Sequence, residues 1–158
     1  MAVRGVPRAY SMSHPFRYYV RVRYGECDAQ KVVFNARYAE YVDLATTEFI
    51  RAIGFADVFM AGDLDYQLVK LTIEWKAPAH YDQVLELSVA TARVGTTSFT
   101  LSTVFRVAGT DPVLAIAESV NVLVDARTLH KTQIPDDLRA ALEKGAPGRT
   151  TDHAGFLV

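Results

Sequence analysis

Two periodicities divide the chain. Between Tyr38 and Ile53, apolar residues recur at three- and four-residue steps: Tyr38, Tyr41, Val42, Ala45, Phe49 and Ile53. That spacing places them on one stripe of an α-helix. Arg37, Glu40, Asp43, Thr47, Glu48 and Arg51 fill most of the remaining surface. Asn35 suits the N-cap, and Gly54 suits the position just past the end. The pattern predicts one long helix over Ala36–Ile53, about 27 Å at 1.5 Å per residue.

Elsewhere the period is two. Phe16, Tyr18, Val20, Val22 and Tyr24 alternate with polar positions that include Arg17, Arg21 and Arg23, which predicts a half-buried strand before the helix. Beyond the helix, four more strands are predicted around Tyr66–Trp75, Leu85–Val94, Phe99–Val107 and Leu114–Val124. Pro78, Gly95-Thr96 and Gly109-Thr110-Asp111-Pro112 punctuate them. Glu118 interrupts the last apolar face, through either a bulge or a subunit contact. Phe55–Asp65 reads as a short helix or irregular cover, and Ile134-Pro135-Asp136-Asp137 opens a second short helix ending near Gly145. A meander of antiparallel strands needs its apolar face covered, and only the long helix is large enough. The expected class is α+β, an antiparallel five-stranded sheet wrapped around one long central helix. Residues 1–15 read as a flexible N-terminal arm, 16–144 as a single domain, and 145–158 as a mobile C-terminal tail.

Composition narrows the function classes. A chain of 158 residues, half of them hydrophobic, fits one domain with a sizeable core. The formal net charge is −1 and no dense block of Lys or Arg occurs, so nothing points to nucleic acid or an acidic membrane surface. No run approaches the about 18 apolar residues of a membrane span. The first fifteen residues lack the apolar core of a secretory signal. Cys27 is the only cysteine, which excludes an intramolecular disulfide. A cytoplasmic protein with no membrane span and no nucleic-acid partner is expected. His14, His80, His130 and His153 are scattered without ligand spacing, so no metal site is expected.

The chemistry concentrates between Tyr24 and Tyr38. Asp28 lies in the connection from strand to helix, close to the helix N-terminus. Unpaired amides there can receive developing negative charge, and a carboxylate beside them can act as nucleophile or base. Cys27 is a weaker nucleophile candidate, because no histidine neighbours it in sequence. Glu48, within the helix, reads as an ion pair or a polar contact to the sheet. Lys31 is either an exposed loop lysine or a contact for a phosphate.

Tyr24-x-x-x-Asp28, Val32-Val33-Phe34-Asn35-Ala36-Arg37-Tyr38 and Thr47-Glu48-Phe49-Ile50-Arg51 resemble the 4-hydroxybenzoyl-CoA thioesterase family. Pro78, Tyr81, Asp82 and Ile134-Pro135 extend the likeness over approximately residues 16–142. The resemblance implies the hotdog fold, in a homodimer that is often a dimer of dimers, with active sites at the interface. It implies hydrolysis of an acyl-CoA thioester, with coenzyme A as part of the substrate and no separate cofactor. It assigns the catalytic carboxylate to Asp28 and the amide that polarises the carbonyl to Asn35. Val33, Phe34 and Tyr38 are the expected substrate-binding residues. The family often has glycine where this chain has Lys31, so the loop path is expected to show how the lysine is accommodated. A module of the same fold that binds acyl-CoA or acyl-carrier protein without cleavage is the alternative.

Overall fold

A computed structural model describes residues 14–158 of the chain, so residues 1–13, most of the expected arm, lie outside the described residues. Six strands form one sheet: β1 (Phe16–Arg21), β2 (Leu64–Trp75), β3 (Val84–Val94), β4 (Ser98–Val107), β5 (Val113–Asp125) and β6 (Thr150–Asp152). Their order across the sheet is β2-β5-β4-β3-β1-β6. The expected five-stranded antiparallel sheet is thus corrected to six mixed strands, because β6 pairs in parallel with β1. The other four pairings are antiparallel. Three helices complete the fold: α1 (Arg37–Ala52), α2 (Ala56–Ala61) and α3 (Asp136–Lys144).

The helical stripe is the element that closes the core. Tyr38, Tyr41, Val42, Ala45 and Phe49 are all buried, as their spacing requires. Phe49 meets Phe16 of β1 with ring centroids 5.9 Å apart, and Tyr38 meets Phe105 of β4 at 5.4 Å and Trp75 of β2 at 5.7 Å. Phe49, Phe99 and Phe105 are fully buried. Each such side chain contributes about 1.5–3 kcal/mol. Gly54, at φ +89°, takes the left-handed position after α1, and the Phe55 amide bonds back to the Ile50 carbonyl.

The helix is shorter than its pattern suggested. It spans 16 residues and starts at Arg37. Ala36 is its N-cap and already holds helical angles, φ −64° and ψ −23°. The Phe34 and Asn35 carbonyls accept the Arg37 and Tyr38 amides, and Asn35, one residue before the cap, makes no side-chain capping bond. The strand before it also ends early. After Arg21 the chain passes into a single 3-10 turn at Tyr24–Glu26, which turns Tyr24 outward and leaves it 83% exposed. Glu118 is exposed, and the register shifts of β5 lie elsewhere, opposite Leu68/Lys70 and Phe105/Arg106.

The segment after Gly145 returns to the sheet. The Arg17 amide bonds to the Arg149 carbonyl at 3.0 Å, and the His153 amide to the Tyr19 carbonyl at 3.0 Å. Phe156 stacks on Tyr19 at 5.3 Å, and Arg149 donates to the Ala52 carbonyl at the end of α1. This short strand covers the outer edge of β1. At the opposite edge β2 runs 12 residues with no strand beyond it among the described residues.

Candidate active site

Asp28 stands at the base of a tight reversal. Its amide donates to the Val32 carbonyl at 2.9 Å, and its carbonyl accepts the Lys31 amide at 3.0 Å. Cys27 and Val33 face each other as an antiparallel bridge on either side. This is a hairpin whose loop is Ala29-Gln30-Lys31. Three-residue loops of this kind place their last residue in the left-handed region, where glycine is usual. Lys31 takes that position with φ +62°. Lysine therefore follows the glycine-type path and carries the conformational strain.

The Asp28 side chain is exposed, and its Oδ1 accepts the Gln30 amide at 2.8 Å. That bond fixes the carboxylate orientation while leaving the second oxygen open. Asp28 lines an open depression of about 600 Å³ together with Tyr24, Gly25, Cys27, Lys31 and Tyr81. Tyr24 and Tyr81 meet edge to face across it, centroids 6.0 Å apart.

The hairpin is tied to the start of α1. The Phe34 amide donates to the Glu26 carbonyl at 2.9 Å, and the Val33 amide to the Ala79 carbonyl at 2.8 Å. The next two amides, of Asn35 and Ala36, form no hydrogen bond among the described residues. They are the free donors of a helix N-terminus. The depression around Asp28 is nevertheless lined by loop residues alone, and Asn35 lies outside its lining.

The remaining expected site residues divide by exposure. Phe34 is 53% exposed beside the free amides. Val33 and Tyr38 are buried in the core instead, where Tyr38 is enclosed by Tyr41, Trp75 and Phe105. Their apolar character serves packing beneath the loop. Burial, aided by the nearby Glu26 and Asp28 carboxylates, pushes the Cys27 thiol pKa up. A thiol held protonated is a poor nucleophile. Glu48 pairs with Arg51 at 3.3 Å. Among the described residues, no three histidine, cysteine or acidic side chains are grouped to hold a metal.

Sequence reasoning passed over Glu26. It is the only charged side chain that is buried among the described residues. Its carboxylate accepts the Tyr41 hydroxyl at 2.5 Å, the Arg23 amide at 2.8 Å, and the Arg23 guanidinium at 2.7 and 3.0 Å. Burial alone would raise its pKa, but the bonds from Tyr41 and Arg23 together outweigh burial and hold it below the usual 4.5. Burial and the adjoining Glu26 charge raise the Tyr41 phenol well above its ordinary value. The available signal was the three-residue spacing of Arg23 and Glu26, plus a tyrosine hydroxyl on an apolar stripe that needs a partner.

Residues 22–142 match the thioesterase-like superfamily. The chain belongs to that superfamily. It is similar to the acyl-CoA thioester hydrolase YbgC of Escherichia coli O6:H1, at 30% identity over 130 residues, covering 82% of this chain and 96% of that protein. A solved structure of a hypothetical protein from Aquifex aeolicus superposes with TM-score 0.73 at 29% identity, covering 81% of this chain and 99% of its own. A thioesterase-superfamily structure from Jannaschia sp. CCS1 superposes with TM-score 0.79 over 86% of this chain and 96% of its own, at 21% identity, a likeness of fold. The fold is the hotdog architecture of that superfamily, with α1 packed against β1, β2 and β4 through Phe49 and Tyr38. The superfamily match begins at Val22 and takes in the 3-10 turn, the Asp28 hairpin and all of α1.

Proposed function

We propose that this chain hydrolyses acyl-CoA thioesters, with Asp28 as the reacting carboxylate and the Asn35 amide as the oxyanion donor. The observation that carries this is the hairpin itself. It fixes an exposed, ionisable side chain with one open oxygen two residues from the segment bonded to Phe34, and the next two amides are unpaired. The likeness to a named acyl-CoA thioester hydrolase over nearly that protein's whole length supports the substrate class.

The chemistry needs few groups. Asp28 either attacks the thioester carbonyl carbon or takes a proton from a water that attacks it. The carbonyl oxygen gains negative charge and is met by the Asn35 N–H; one such donor lowers a barrier by about 3 kcal/mol. The C–S bond then breaks, and the coenzyme A thiolate leaves with its electron pair and takes a proton. In the nucleophilic route one water then cleaves the acyl-aspartyl anhydride, which releases the free acid and restores the carboxylate. Exposed Phe34 offers the acyl chain an apolar contact, with Val33 and Tyr38 supporting the loop from below.

A second copy of the chain completes the site in this reading. One sheet edge is closed by three-residue β6, while the other is 12-residue β2, which exposes Leu68, Val69 and Trp75. A long edge with no strand beyond it, exposing apolar side chains among its polar ones, is a template for strand pairing. Pairing of two β2 edges gives a homodimer with a continuous sheet, and dimers can associate further.

Thiol release from acetyl, octanoyl, palmitoyl and benzoyl thioesters of coenzyme A tests the activity. Asp28→Asn is expected to lower turnover by about 10²–10⁴-fold with an unchanged fold by circular dichroism. Near-normal hydrolysis by that variant removes Asp28 from the mechanism. Binding without thiol release by the unaltered protein selects the non-catalytic module instead.

A further inference from the structure

We propose that Glu26 is a positioning residue, which sets the distance between the Asp28 carboxylate and the free amides at the start of α1. The inference rests on the proposed thioesterase reading and adds a residue to it. Glu26 touches no substrate in this account. It acts through the two segments it joins.

The geometry comes from both ends of one residue. The Glu26 side chain reaches into α1 and accepts the Tyr41 hydroxyl at 2.5 Å. Its main-chain carbonyl accepts the Phe34 amide at 2.9 Å, one residue before the first free amide. Two residues further along the chain is Asp28. Arg23 closes the other side, with its amide and its guanidinium all directed at the same carboxylate. Glu26 thus holds the hairpin, the helix entry and the second turn of the helix in one hydrogen-bonded unit.

Stability alone is a weak reason for such an arrangement. Only the Glu26 end of the pair is buried, the Arg23 side chain being 74% exposed, and an ion pair with a solvated partner contributes little. What it supplies is directionality, because four donors converge on two oxygens from fixed angles. A misplacement of about 1 Å in a catalytic group can cost about 10²-fold in rate. The clasp is the connection through which such a displacement would be prevented here. Glutamine retains the volume of Glu26 but presents an NH₂ group in place of one acceptor oxygen, so it cannot accept all four bonds from Tyr41 and Arg23.

The test compares Glu26→Gln, Tyr41→Phe and the double variant with the unaltered protein, on the thioester it cleaves best. Each single variant is expected to lower kcat by about 10–100-fold while KM stays within about twofold of its starting value. The double variant is expected to be no slower than the slower single variant, since both remove the same unit. Tyr41→Phe removes one hydroxyl and remains informative even where Glu26→Gln does not fold. Folded variants with unchanged kcat, including any that only lose thermal stability, overturn the inference while the thioesterase reading stands. A loss expressed in KM with kcat unchanged overturns it too, as does full additivity in the double variant. An unaltered protein that releases no thiol from any thioester overturns the thioesterase reading and this inference with it.

Discussion

Replacing Lys31 with glycine is expected to make the protein more stable. Lys31 is held at φ +62° because the loop of the Asp28 hairpin ends in a left-handed residue. Its amide is bonded to the Asp28 carbonyl at 3.0 Å, and its carbonyl accepts the Tyr81 amide at 3.2 Å, so the backbone cannot relax without breaking both. A residue with a Cβ pays about 1–2 kcal/mol in that region. Glycine removes this cost but gives back about 0.4–1 kcal/mol through the greater freedom of the unfolded chain. The net gain is about 0.8 kcal/mol at the midpoints of the two ranges. For a chain of 158 residues that corresponds to a rise in Tm of about 1–4 °C. Thermal unfolding followed by circular dichroism, with a urea titration to check that the slope is unchanged, measures it. Lys31→Val serves as the opposite control, because a β-branched residue is least tolerant of positive φ, and is expected to lower Tm. Lys31→Met keeps the strain and removes the charge, so it separates the two contributions. A Lys31→Gly protein less stable than the original would refute the reasoning: the lysine side chain would then be holding the loop, and the strain assigned to it would be absent.

Two further predictions concern pH and assembly. The Glu26 carboxyl lies below its usual 4.5, so its contribution to stability is complete above about that pH and is lost as pH falls through the folded value. Glu26→Gln is expected to show a flatter loss of stability between pH 5 and 2 than the unaltered protein, about 1–3 kcal/mol less stable at neutral pH; parallel stability curves would contradict this. Substituting both Leu68 and Val69 with lysine on the β2 edge is expected to convert a dimer into a monomer by light scattering coupled to gel filtration. An unchanged mass would remove the β2 edge from the interface.

How much of the fold was legible depends on where the signal is periodic. The α1 stripe and the four strands β2 to β5 each carry enough repeats to declare themselves, and turn residues separate the strands. β6 carries none. Thr150-Thr151-Asp152 is polar and three residues long, and its partner β1 lies about 130 residues earlier, so only the tertiary structure supplies the pairing. The errors at element ends have local causes. Alternation pointed Tyr24 inward, but the strand had already ended at Arg21 and the 3-10 turn reversed its direction. Asn35 has the composition of an N-cap, yet its side chain makes no capping bond and the cap position falls on Ala36.

The candidate site drew on a different kind of signal. Residue type and position singled out Asp28, and the comparison with glycine at position 31 identified the one place where the loop conformation is demanding. Burial then sorted residues that sequence could not separate: Val33, Phe34 and Tyr38 are all apolar or aromatic neighbours, but only Phe34 reaches the surface. Glu26 shows the converse. As a glutamate two residues from the candidate carboxylate it looks like a solvated charge, and charged residues are ordinarily exposed. Its importance comes from Tyr41, fifteen residues away on the buried stripe, whose hydroxyl requires an acceptor in the core. A polar group forced inside by helix periodicity draws a charge in after it, and the exposed Arg23 reaches that charge from the surface. The same periodicity that builds the core therefore also fixes the loop that carries Asp28, which links the packing of α1 to the geometry on which the proposed chemistry depends.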